Sequence, residues 1–74
     1  MLRLSNGDSP SFGLKPRELR VLAYLSEGLQ NKEIGREVGI EEVIVKMDVK
    51  SICRKLGVRN RTEAALAARK LGLV

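Results

Sequence analysis

Between Gly39 and Gly57 runs a segment whose apolar residues obey one spacing: Val45, Val49, Ile52 and Leu56 recur at i, i+4, i+7 and i+11. At about 100° per residue this places them in a single stripe, the pattern of a helix buried along one side. Lys46, Met47, Lys50, Ser51 and Arg54 fall on the opposite side. Lys46, Lys50 and Arg54 stand four apart, so like charges meet on successive turns and cost an isolated helix a few tenths of a kcal/mol, roughly 0.2–0.5 per pair. A sequence selected for helix stability alone would interleave acids there. The pattern implies an anionic partner that offsets the repulsion.

The charge distribution points the same way. The chain carries a net +5 over 74 residues. Lys46, Lys50, Arg54, Lys55, Arg59 and Arg61, opposed only by Asp48, hold that whole surplus within residues 46–61. Elsewhere acids and bases balance. A concentrated basic surface is the electrostatic footprint of phosphate binding. Phe12 and Tyr24 are the only aromatics, which argues against a module that stacks single-stranded bases on several rings.

Around the amphipathic segment the sequence predicts three more helices and no strand. Pro16 suits a first helical position, Leu19, Leu22 and Ala23 or Leu25 recur at helical spacing, and Gly28 stops the run, giving a helix over about 16–27. Asn31 is a plausible cap for a short helix over 32–38, with Glu33 in its first turn and Ile34 and Val38 as its apolar stripe. Gly39 breaks it and Ile40 anchors the turn. The third helix covers 42–56. Asn60, with Glu63 three residues on, opens a fourth over about 61–71, whose Ala64, Ala67, Ala68 and Leu71 are expected to face inward. The fold class is therefore all-α, a four-helix domain over residues 14–74. Residues 1–13 read as a flexible leader or linker stub. A short helix, a glycine turn and an amphipathic helix form a helix-turn-helix, in which the second helix enters the major groove of duplex DNA.

Several stretches give the resemblance a name. LKPRELRVLAYLSEGLQNKEIGREVGI followed by VKMDVKSICRKLGVRNRTEAALAA resembles the LuxR-type (GerE/FixJ/NarL-like) helix-turn-helix domain over residues 14–73, most specifically in SEGLQNKEIG and RKLGVRNRTEA. The resemblance implies sequence-specific binding of double-stranded DNA by a bacterial transcriptional regulator, with the helix-turn-helix motif over 31–50 and with Lys46, Met47 and Lys50 facing bases. Ser51 and Arg54 share that face and join them as base-contact candidates. It places Lys32, Ile44 and Lys55 at or near the phosphates, where Asn31 and Arg59 are further candidates. The fourth helix in such domains usually supplies a dimer contact, which suggests Ala65, Leu66 and Arg69 as a homodimer surface. RNA polymerase is a further candidate partner.

Three positions depart from the family pattern. Lys15 stands where Ser or Thr usually caps the first helix. Glu41 and Ile44 replace hydroxyl residues at the start of the third helix. Asp48 replaces a residue that is often histidine; it either repels phosphate or is held by a neighbouring base, and on sequence alone its neutralisation is expected to tighten binding. An alternative reading follows from Asp48, Glu41 and Glu42: a protein-interaction module of the same fold with weak DNA binding. The sequence offers no catalytic constellation. It has no histidine, no phosphate-cradling glycine loop and no catalytic cysteine–base pair, so an enzyme, a metal site, a cofactor and a small-molecule ligand are not expected. Cys53 reads as a small core residue, Tyr24 as core edge, Glu63 as structural, and Arg61 as a partner for Glu18. No apolar run reaches membrane-spanning length, and a single cysteine suits a reducing cytoplasm.

Overall fold

The computed structural model describes residues 12–74, so the leader expected over 1–13 lies almost wholly outside the described residues. Four helices follow in order: α1 (Pro16–Ser26), α2 (Asn31–Val38), α3 (Glu42–Leu56) and α4 (Arg61–Lys70), with no strand among the described residues. α1 packs against all three others, α2 against α3, and α3 against α4. The core is what the apolar periodicity demands. Val21, Leu22 and Leu25 from α1, Ile34 from α2, Val45 and Ile52 from α3, and Ala64 and Ala68 from α4 are buried together with Leu14. Val49 and Leu56 complete the α3 stripe as half-buried residues packed on that core.

Three boundaries differ from the sequence expectation. α1 ends at Ser26 and α4 at Lys70, one residue early in each case. α2 starts at Asn31 itself, because Gln30 takes the extended capping conformation and its amide donates to Glu33 Oε1 at 2.8 Å. Asn31 is thereby freed from capping, and its Oδ1 accepts a 2.8 Å hydrogen bond from Arg61. Arg61 also donates to the Leu29 carbonyl at 2.8 Å, so it ties the α4 start to the α2 start instead of pairing with Glu18. Leu71 is exposed as well: with α4 already finished, it no longer follows the inward face of Ala64 and Ala68.

Glutamates three residues into helices organise three of the four starts. Glu18 accepts from the Lys15 amide at 2.8 Å, Glu33 from the Gln30 amide, and Glu63 from the Arg59 amide at 2.8 Å. Asn60 completes the α4 start by accepting from the Glu63 amide at 2.9 Å. Lys15 makes no side-chain cap, yet its backbone donor is satisfied, so the missing Ser or Thr leaves only half of a capping box empty. α3 has no such help: Glu41 at its cap position forms no side-chain cap bond.

Glu18 does more than start a helix. Its carboxylate is almost wholly buried, with 4% exposure, and receives Lys55 Nζ at 2.7 Å on one oxygen and Ser51 Oγ at 2.7 Å on the other. Burial alone pushes its pKa up. The Lys55 ammonium, the Lys15 amide and the Ser51 hydroxyl outweigh that desolvation and hold the pKa at about 2. One α1 carboxylate thus grips two successive turns of α3 and fixes how that helix lies on the bundle.

The turn between α2 and α3 rests on two glycines with different duties. Gly39 adopts φ +83°, a left-handed conformation costly for any residue with a Cβ. Gly35 is needed for space: the amides of Gly39 and Ile40 both donate to its carbonyl, at 2.8 and 2.9 Å. That closure brings the Ile40 carbonyl oxygen to 2.7 Å from where a Cβ on residue 35 would sit.

Gly35→Val therefore forces the turn apart and is expected to destabilise the domain by about 1–3 kcal/mol, read as a lower urea midpoint. The Glu18 carboxylate sets an acid limb. Its folded pKa lies below the ordinary 4.5, so its contribution is complete above that value and is lost as pH falls from 4.5 towards about 2. This amounts to about 3 kcal/mol, and Glu18→Gln should flatten that part of the stability–pH curve; an unchanged curve would show that the buried carboxylate is not coupled to folding.

Candidate nucleic-acid interface

α3 presents its charged side as a free ridge. Lys46, Met47, Lys50 and Arg54 are exposed, Met47 to 62%, and none of the three cations takes part in an ion pair among the described residues. The reason is geometric: Val45, Val49 and Ile52 are turned into the core, and at about 100° per residue Lys46, Met47, Lys50 and Arg54 are carried to the side away from it. Val43 stands one turn before Met47 and is exposed to 55%. The two form an apolar pair at i, i+4 at the start of the ridge, and chemically they suit contact with thymine methyl groups. Val43 is absent from the base-contact candidates that the sequence suggests, although its i, i+4 spacing from Met47 is the signal that points to it.

The remaining candidates split into those that reach this ridge and those engaged elsewhere. The Ser51 hydroxyl, placed with the base-facing residues on sequence grounds, donates to Glu18. Lys55 is partly buried, with its ammonium on the same carboxylate. The Ile44 amide donates to the Glu41 carbonyl at 2.9 Å and its side chain is half-buried. Lys32 is exposed in the first turn of α2. Arg59 is exposed and reaches Glu63 at 3.3 Å, a pairing that surface solvation leaves weak. On α4, Leu66 is 54% exposed, Ala65 is half-buried, and Arg69 donates to the Ser26 carbonyl at 3.0 Å.

A cleft flanks the ridge on each side. One, of about 700 Å³, is floored by Val49, Cys53 and Val58 and rimmed by Lys46, Arg59 and Arg61 near the starts of α2 and α4. Cys53 is not a reactive thiol there: burial pushes its pKa up, Glu63 adds to the rise, and Arg61 opposes it only in part. The other cleft, of about 380 Å³, lies between α3 and the start of α1, lined by Lys15, Arg17, Glu18, Met47, Asp48 and Ser51. Lys50 and Arg54 line both clefts, as a ridge between two troughs must.

Asp48 has a partner that the sequence left open. Arg17 donates Nε to Asp48 Oδ2 at 2.8 Å and Nη2 to Oδ1 at 2.9 Å, a bidentate pair that satisfies both carboxylate oxygens. Asp48 is 5% exposed, whereas half of the Arg17 side chain meets solvent. The acid is therefore withdrawn from the α3 surface, and the group shown to solvent beside it is a guanidinium.

Comparison with known proteins agrees with this architecture. The family described as bacterial regulatory proteins, luxR family (GerE), matches residues 13–68. The chain is 47% identical over 60 residues to the transcriptional regulatory protein LnrK of Bacillus subtilis, covering 81% of this chain and 27% of that protein. It is 43% identical over 65 residues to the transcriptional regulatory protein LiaR of the same organism, covering 88% of this chain and 31% of LiaR. Against the nitrate/nitrite response regulator protein NarP of Escherichia coli it is 41% identical over 59 residues, 80% of this chain and 27% of NarP. The chain thus spans about a third or less of the length of these relatives. On the family match, the helix order and the exposed cationic α3, the chain belongs to the luxR family of bacterial regulatory proteins as a helix-turn-helix domain.

Proposed function

We propose that this domain places α3 in the major groove of duplex DNA and serves a bacterial transcriptional regulator. The observation that carries the proposal is the unpaired ridge of Lys46, Lys50 and Arg54, with the apolar tip of Val43 and Met47 beside it. Nothing within the described residues neutralises these cations, and their mutual repulsion is relieved when phosphates and the electronegative edges of bases surround them. Lys46, Met47, Lys50 and Arg54 read base edges, and the Ser51 hydroxyl serves that face by holding α3 in place through Glu18. Asn31, Lys32, Lys55 and Arg59 neighbour the phosphates, with Ile44 packing against the sugar–phosphate chain.

The working unit is residues 14–74, with the helix-turn-helix at 31–50, and its role is recognition without catalysis in the cytoplasm. Two copies meet through Ala65, Leu66 and Arg69 of α4 on an inverted repeat, and RNA polymerase is the further partner of the assembled regulator. Support for the α4 contact is the exposed Leu66 on a helix whose other face is already filled. The alternative reading as a protein-interaction module rests on Asp48, Glu41 and Glu42; burial of Asp48 against Arg17 takes away the acid nearest the middle of the ridge and leaves Glu41 and Glu42 exposed at the α3 start.

Titration of labelled duplexes, selected by the protein from a random pool, at two or more salt concentrations tests the proposal. Lys50→Ala is expected to cost about 1–3 kcal/mol and to relax preference at one base pair, as for a lysine on guanine. Unchanged affinity and preference would place α3 outside the groove. Leu66→Asp should convert a 2:1 complex on an inverted repeat into a 1:1 complex in sedimentation equilibrium without altering half-site preference; a persistent 2:1 complex would move the dimer contact off α4.

A further inference from the structure

From the pair of clefts we infer that Lys15 and Arg17, at the start of α1, form a second phosphate clamp on the side of α3 opposite Asn31 and Arg59, with Asp48 as the positioning residue for Arg17. The inference rests on the proposed docking of α3. A helix lying in the major groove has a sugar–phosphate strand on each side of it, across a groove about 12 Å wide. A protein ridge that fills the groove thus needs an anion-accepting trough on both flanks. One trough is rimmed by Lys46, Arg59 and Arg61. The other brings Lys15 and Arg17 beside Lys50 and Arg54.

The second trough contains two acids, Glu18 and Asp48, yet both are about 95% buried and fully engaged. Glu18 is neutralised by Lys55 and bonded by Ser51 and the Lys15 amide. Asp48 spends both oxygens on Arg17. What reaches the surface is cationic, reinforced by the positive end of the α1 dipole. Arg17 is also held in a definite pose. With Nε and one Nη2 hydrogen committed to Asp48, both Nη1 hydrogens and the second Nη2 hydrogen remain, and the side chain is 51% exposed. A guanidinium anchored along one edge offers its other edge to a phosphate without first losing its rotamer freedom. This reverses the sign expected for Asp48 from sequence alone: neutralising it releases Arg17 and weakens binding.

The test follows salt dependence and coupling in the intact chain, by fluorescence anisotropy on a duplex selected from a random pool. Lys15→Gln, whose side chain makes no cap bond, and Arg17→Gln are each expected to make the slope of log K against log salt shallower by about 0.9. Affinity should fall to a similar degree on every duplex, since phosphate contacts carry no base preference. Asp48→Asn should weaken binding several-fold in the native background and have no further effect once Arg17 is Gln. The Arg17→Gln/Asp48→Asn protein has no acid at position 48, so its affinity reads the lost cation without a stranded buried charge. Unchanged slopes for Lys15→Gln and Arg17→Gln, alongside a weakening Lys50→Ala, would overturn the second clamp and leave the groove docking standing. Unchanged binding for Lys50→Ala as well would remove the docking and the clamp together.

Discussion

A single carboxylate governs how this domain presents itself. Glu18 lies on α1 at a point where burial disfavours its charge, yet three donors keep it ionised: the Lys15 amide, the Ser51 hydroxyl and the Lys55 ammonium. Two of these come from α3, one turn apart, so the contact fixes the rotation of α3 about its own axis as well as its distance from α1. Rotation is the property that matters for a helix meant to be read from one side. Apolar packing alone is non-directional and tolerates a small roll of the stripe. A charged hydrogen-bonded anchor does not, because rolling away strands a buried charge.

The Arg17–Asp48 pair extends this anchoring along α3. Together the two contacts couple α1 to α3 at residues 48, 51 and 55, a run facing α1 between the core stripe and the solvent ridge. Glu18 and Asp48, the acids between α1 and the ridge, are both consumed in these contacts, and the surface on that flank is left cationic. A short domain with a small core gains orientation from polar anchors that it has too few apolar residues to supply. The same anchors lower the electrostatic cost of grouping cations on one side of a helix, since Lys55 and Arg17 each bring the charge of an acid with them.

Much of the architecture was legible from the chain because it rests on local rules. The stripe Val45, Val49, Ile52, Leu56 defines a buried side whatever packs on it, and the opposite residues are then exposed by geometry. Glycines at 39 and 57 and Asn60 with Glu63 mark helix ends through contacts only a few residues long. Expectation and structure part where a side chain chooses among distant partners. Charge alone pairs Arg61 with Glu18, whereas Arg61 bridges Asn31 and the Leu29 carbonyl while Lys55 occupies Glu18. Residue type favours Asn31 as a cap, but the bond from the Gln30 backbone amide to Glu33 places the cap at Gln30. The role of Gly35 is hidden in the sequence, since a glycine inside a helix carries no signal of the carbonyl that closes over it.

The basic window shows the same division. Within residues 46–61 the sequence counts six cations as one patch, but Lys55 and Arg61 are turned inward and Arg59 leans on Glu63, while Arg17 joins the patch from 31 positions away. By itself the sequence determined four helices, the buried stripe of α3 and the side of that helix left to solvent, because periodicity and glycine stereochemistry act over a few residues. Only the tertiary structure decided which charges remain available. Ion pairing depends on distances between segments far apart in the chain, and residue order does not encode them locally.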